Sequence, residues 1–78
     1  MFIITHNIID EQTPVKITPE QRSKFPYFFR LYDDDNELYF EGYSDDDSSF
    51  EPLDSIGQSY GCTGLKYRNA KTNCLEFL

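Results

Sequence analysis

Carboxylates are the side chains of this 78-residue chain with the clearest capacity for chemistry, and they crowd into one segment. Ten of the 14 acidic residues lie between positions 33 and 54, a stretch that contains no lysine or arginine. Two Asp triplets, 33–35 and 45–47, stand at the ends of the segment ELYFEGYS. Grouped carboxylates can ligate a hard cation, act as an acid and base pair, or present negative charge to a partner.

A calcium site of the EF-hand type needs glycine at the sixth position of its loop and glutamate at the twelfth. Counted from Asp33, those positions hold Leu38 and Ser44, and a count from Asp45 fails in the same way. We therefore predict no dedicated metal site and no cofactor. Weak binding of a divalent cation by the triplets is kept as an alternative.

Catalysis is not predicted either. General acid–base or nucleophilic catalysis needs a base within reach of a nucleophile, and the only histidine is His6, inside the apolar segment FIITHNII. A catalytic acid also needs burial to raise its pKa, whereas these carboxylates form polar runs that are typical of solvated surface. We predict a protein that is not an enzyme and has no catalytic residues.

The net charge of −7 limits the classes of partner. It repels nucleic acid phosphates and anionic lipid and attracts basic surfaces, so we predict neither direct nucleic acid binding nor membrane binding. The N-terminal segment lacks the features of a signal peptide or a spanning helix, which predicts a cytoplasmic protein. In that compartment Cys62 and Cys74 are expected to be free thiols.

The elements that position these residues must be short, and the length favours a single domain over 1–78. β-Branched and aromatic residues predict a strand at 2–9. Thr18, Pro19 and Gln21 match the N-cap, first and third positions of a helix with a capping box. These residues predict a helix over about 19–24, which a proline at position 26 ends.

A first hairpin surrounds the first Asp triplet. The segments PYFFRLY and ELYFEGY alternate in polarity and are predicted to pair as antiparallel strands. A four-residue connection at 33–36 would place Leu31 opposite Leu38 and Phe29 opposite Phe40, which gives one apolar face.

A second hairpin is predicted at the C-terminal end. A five-residue connection at 69–73 would place Leu65 opposite Phe77 and Cys74 opposite Arg68. Together these elements predict an α+β fold, with a small, mostly antiparallel sheet of four to five strands and one short helix.

The strand between the two triplets, about seven residues rising about 3.3 Å each, would hold them about 23 Å apart. The acidic residues and tyrosines of this strand are predicted to lie on its outward face, where they would form a row of negative charge interleaved with aromatic rings. Such a surface could occupy the basic site of a nucleic-acid-binding protein. The predicted partner-binding residues are Asp33, Asp34, Asp35, Glu37, Tyr39, Glu41, Tyr43, Asp45, Asp46 and Asp47.

A further alternative stays open for the acidic residues. An acidic face keeps small proteins soluble and protects an edge strand from pairing with other chains. In that case the domain is a structural or assembly module, which would form a homodimer through the strand at 2–9 or the one at 73–78.

The segment FRLYDDDNELYFEG, with FEPLD and GCT further along, resembles a group of short bacterial and mobile-element proteins. Residues 28–69 carry the resemblance, and the group has no assigned activity, so no site residue follows from it. By class alone, the chain is similar to the acidic nucleic-acid mimics with which phages and plasmids inhibit restriction or CRISPR effectors. That similarity implies a non-catalytic inhibitor.

Overall fold

The chain folds into a five-stranded antiparallel sheet with short helices, which confirms the α+β prediction. The computed structural model describes residues 1–69 and 71–78. In space the strands follow the order β1-β3-β2-β4-β5, so β1 and β5 are the edges. The elements are β1 (Phe2–Asn7), α1 (Pro19–Lys24), β2 (Tyr27–Asp33), β3 (Leu38–Ser44), a π-helical segment (Leu53–Gly57), α2 (Gln58–Tyr60), β4 (Cys62–Arg68) and β5 (Leu75–Phe77).

Helix α1 has the bounds that its capping residues predict. The Gln21 amide donates to the Thr18 hydroxyl at 3.1 Å, and the Thr18 amide donates to the Gln21 side chain at 3.0 Å. Pro19 stands at the first helical position, where its missing amide hydrogen costs nothing. The helix ends at the buried Phe25, whose amide donates to the Gln21 carbonyl. Local signals are therefore sufficient for this element.

The core lies on one face of the sheet. Phe29, Leu31 and Phe40 have no exposed surface, and burying side chains of this kind contributes about 1.5–3 kcal/mol each. The π-helical segment and α2 lie against β4, and Gly61 ends this helical stretch with a left-handed φ of 75°. The Tyr67 hydroxyl donates to the Ser49 carbonyl at 2.7 Å.

The predicted register of the first hairpin is wrong by two residues. Leu31 pairs with Phe40, and Phe29 pairs with Gly42. One residue of the shift comes from the turn, because the left-handed Asn36 (φ 66°) closes a shorter loop than the predicted one. The second comes from a β-bulge at Tyr39. A shift of two leaves the remaining core residues on their predicted face.

The second hairpin is off by one residue, which changes the face of its last strand. Phe77 pairs with Lys66, whereas its predicted partner was Leu65. The Asn69 amide donates to the Cys74 carbonyl at 2.8 Å, so the connection is one residue shorter than predicted. The left-handed Asn73 (φ 59°) makes this closure possible. Phe77 consequently lies on the face opposite the core, with 59 % of its surface exposed.

The N-terminal strand is shorter than the predicted 2–9. It ends at Asn7, and a turn follows in which Glu11 adopts a φ of 54°. Between Ile4 and His6 the pairing with β3 is irregular, which brings His6 opposite Glu41. None of the helices in residues 1–69 and 71–78 is long and apolar enough to cross a membrane.

Both cysteines carry free thiols, and they lie in different settings. Cys62 pairs with Asp33 inside the sheet and is buried. Burial raises the pKa of the Cys62 thiol. Cys74 is exposed at the connection before β5.

Candidate partner-binding surface

The first acidic cluster is an ordered turn between β2 and β3. The Asp33 carboxylate accepts hydrogen bonds from the amides of Asp35 at 2.9 Å and Glu37 at 2.8 Å. The Asp33 amide in turn donates to the Glu37 carbonyl at 3.0 Å. Asp33 is thus the half-buried anchor of the turn, while Asp34, Asp35 and Glu37 are exposed. We call these three exposed residues the turn cluster.

The second acidic cluster, Asp45, Asp46 and Asp47, follows the end of β3 and is exposed. We call it the loop cluster. The Asp46 carboxylate accepts from the Ser48 hydroxyl at 2.7 Å and the Ser48 amide at 2.8 Å, and these bonds lower the pKa of Asp46. The buried Ser44 hydroxyl donates to the Asp46 carbonyl, so the loop is held to the sheet. Both clusters are therefore positioned by hydrogen bonds.

Glu41 is not part of an outward row of free charge, which corrects the prediction. Arg30 donates to its carboxylate at 2.7 Å and the His6 ring contacts it at 3.1 Å. Its side chain is only 17 % exposed. Burial opposes ionisation of this carboxylate, but the hydrogen bonds from His6 and Arg30 outweigh that effect and lower the pKa of Glu41. The predicted register set Arg30 opposite Tyr39, so the pair could not be foreseen.

The two predicted tyrosine contacts also differ from expectation. The bulge turns Tyr39 toward the core, where it packs against the buried cluster. Tyr43 does lie on the face opposite the core, but it is half-buried. Its ring makes an edge contact with Phe28 at 5.3 Å, and the Arg22 guanidinium lies 5.1 Å above it. Neither tyrosine offers a freely exposed ring between the acidic clusters.

The predicted continuous row is therefore two clusters at opposite ends of β3, with a paired carboxylate between them. In the part of the chain that the structure describes, no lysine or arginine lies within ion-pairing distance of either cluster. Within the loop cluster, Asp45 contacts the Met1 ammonium group at 3.0 Å. Both clusters therefore keep carboxylates available to a partner.

The face of the sheet opposite the core is a feature that the sequence interpretation missed. One row of residues crosses all five strands there: His6, Glu41, Arg30, Lys66 and Phe77. Basic and aromatic side chains dominate this outer face, which we define by Phe28, Arg30, Tyr32, Tyr43, Lys66, Arg68 and Phe77. The alternation of aromatic and basic residues along β2 and β4 is the sequence signal for it.

Among the described residues, no group of three or more His, Cys, Asp or Glu side chains is arranged to hold a metal ion. Because the two clusters lie at opposite ends of one strand, their carboxylates are suited to recognising positive charge on a partner. No protein-family model, curated protein or solved structure matches the chain.

Proposed function

We propose that the protein is a non-catalytic, acidic protein-binding domain of the cytoplasm that acts as a nucleic-acid mimic. Its partner is the basic surface of a nucleic-acid-processing protein, which it inhibits by occupying the nucleic acid site. The class of target includes restriction and CRISPR effectors. The observation that carries the proposal is the pair of ordered, exposed acidic clusters, which form no ion pair with a lysine or arginine among the described residues.

Preorganisation supports this function. A carboxylate that must be ordered on binding loses conformational entropy at that moment, whereas the turn cluster and the loop cluster are held in advance by hydrogen bonds. The seven residues of β3 keep them about 23 Å apart. This span exceeds the screening length of about 8 Å at physiological salt, so each cluster acts as a separate point of contact.

The proposed site is smaller than the predicted one. Glu41 and Asp33 maintain the sheet and the turn, and Tyr39 contributes to the core. Tyr43 lies on the outer face and belongs to a different surface. The contacts with the partner are therefore assigned to Asp34, Asp35, Glu37, Asp45, Asp46 and Asp47.

A binding experiment with matched variants tests the proposal. The immobilised domain is incubated with lysate proteins that have first been eluted from a DNA column. The test variant, Asp34→Asn with Asp35→Asn and Asp47→Asn, should lose the proteins that the wild type retains. The control, Asp10→Asn with Glu11→Gln and Glu20→Gln, removes the same charge elsewhere and should retain them. Equal capture of these proteins by both variants would contradict a role of the clusters in binding.

Self-association is a second candidate function, and the exposed edge at β5 favours it. Phe77 and Leu78 are 59 % and 42 % exposed there, and unpaired edge strands can join a second chain. A shift of the sedimentation coefficient with protein concentration would support a dimer. The clusters would then serve solubility, and their neutralisation would leave the dimer intact.

A further inference from the structure

The outer face places cations directly over aromatic rings. The Lys66 ammonium lies 4.4 Å from the ring centre of Phe77 and 4.9 Å from that of Tyr32. The Arg68 guanidinium lies 4.7 Å from the ring centre of Phe28. In contacts of this kind the face of the ring attracts the cation electrostatically. The face therefore presents positive charge beside apolar rings.

Charge on this face is opposite in sign to that of the whole chain. Arg22, Arg30, Lys66 and Arg68 are four of the seven basic residues, and each contacts a ring on this face. Glu41 neutralises only Arg30, with which it forms the ion pair. The net charge of −7 thus conceals a separation of charge between one sheet face and two acidic ends.

The acidic clusters lie away from Arg30 and Lys66 along the strands, whereas Asp47 lines a cleft together with Arg68. Arg30 and Lys66 stand opposite each other in the central row, and each cluster begins about four residues from that row. At about 3.3 Å per residue, this separation is about 13 Å, which exceeds the screening length of about 8 Å. An anion in direct contact with the row is therefore attracted at physiological salt.

We propose that the outer face binds a short segment of single-stranded nucleic acid. Phe77 offers an exposed ring on which one base can stack, and Phe28 and Tyr32 extend the apolar surface. Lys66 and Arg68, two residues apart on β4 and about 6.6 Å from each other, contact the phosphates. A single strand is favoured over a duplex because its bases are free to leave the stack.

A neighbouring cleft of about 350 Å³ is less suited to phosphate. Arg68 and Lys71 line it, but Asp47 and Glu76 line it as well. Charges of both signs leave it with little net attraction for an anion. The phosphate contacts are accordingly assigned to the sheet face. This inference is independent of the acidic clusters and departs from the expectation based on net charge alone.

Fluorescence anisotropy with a labelled oligothymidylate of about ten nucleotides tests the inference. Phe77→Leu keeps an apolar side chain but removes the ring, and it should weaken binding about fivefold or more. Lys66→Gln with Arg68→Gln should reduce the slope of log affinity against log salt by about 1.4, measured between about 50 and 200 mM salt. Unchanged circular dichroism establishes that each variant is folded.

The matched control is Lys16→Gln with Lys24→Gln, which removes two exposed cations outside the defined outer face. It should leave the slope unchanged. A loss equal to that of the Lys66 and Arg68 variant would show unspecific attraction and overturn the inference. Equal affinity for a duplex would overturn the inference as well. So would the finding that the protein forms a dimer that the outer-face variants abolish. Neutralising Asp34 and Asp35 should leave oligothymidylate binding intact, which separates this test from that of the proposed function.

Discussion

The ion pair between Glu41 and Arg30, in the centre of the outer face, is expected to make a measurable contribution to stability. Glu41→Gln keeps the shape of the side chain but removes the charge that Arg30 and His6 contact at 2.7 and 3.1 Å. Hydrogen bonds to charged groups contribute about 1.5–3 kcal/mol, and we reduce this to about 1–2 kcal/mol because Arg30 is partly exposed. For a domain of this size, each kcal/mol lowers the melting temperature by about 4–8 °C.

The effect should depend on pH in one direction. Because the pKa of Glu41 is lowered in the folded protein, its charge stabilises the fold above the ordinary value of 4.5. This stabilisation is lost as the pH falls through the lower, folded-state pKa. The difference in melting temperature between wild type and Glu41→Gln should therefore persist at pH 7 and at pH 5, and it should shrink in more acidic solution.

Glu37→Gln is the control, since it removes the same charge from an exposed position in the turn cluster. Thermal unfolding followed by circular dichroism should show a change of less than about 0.5 kcal/mol for this variant. Equal shifts for the two variants at pH 7 would refute the stabilising role of the ion pair. A Glu41→Gln effect that grows in acid would refute the direction of the pKa shift.

Three further predictions concern stability and reactivity. Gly42→Ala should lower the free energy of unfolding in urea by about 2 kcal/mol or more, because the new methyl group would clash with the Ile3 carbonyl oxygen and lie 2.7 Å from the Phe29 ring, and an unchanged midpoint would contradict this packing. Thr18→Ala should cost about 1 kcal/mol by the loss of the N-cap, whereas Thr18→Ser should retain most of it in the same assay. Iodoacetamide should alkylate Cys74 in the folded protein and leave Cys62 unmodified until denaturation, as mass spectrometry of the peptides can show.

The elements that could be predicted from sequence are those that local chemistry determines. The capping residues of α1 lie within four positions of one another, so its bounds follow without knowledge of the rest of the chain. The alternation of polarity in the first hairpin likewise predicts which residues face the core. A register error of two residues leaves that alternation intact, since side chains on a strand repeat every second residue.

The registers themselves could not be predicted because they depend on single backbone conformations. Asn36 and Asn73 adopt left-handed φ angles that shorten both connections, and a non-glycine residue gives only a weak signal for that conformation. The bulge at Tyr39 has no sequence signature here. Its consequence for the site is large, because it rotates Tyr39 toward the core and, together with the shorter turn, changes the partner of Arg30 from Tyr39 to Glu41.

The charge of the surface shows a second limit of sequence reasoning. Five of the six residues of the two Asp triplets are exposed, as expected for polar runs between strands, whereas Asp33 anchors the turn. The positive charge of the outer face could not be predicted from composition. Its basic residues come from α1, β2 and β4, and acidic residues outnumber basic ones in the whole chain. Only the pairing of strands shows that Arg30 and Lys66 are neighbours.

The central claim is that the acidic clusters occupy a site that nucleic acid also uses. Its most direct test measures release of a captured protein from the immobilised domain by increasing concentrations of duplex DNA. Lys66→Gln and Arg68→Gln are included in the immobilised chain, so that the outer face does not take part. DNA and the domain should exclude each other, so that the captured protein is released. A stable complex of protein, DNA and domain together would contradict it.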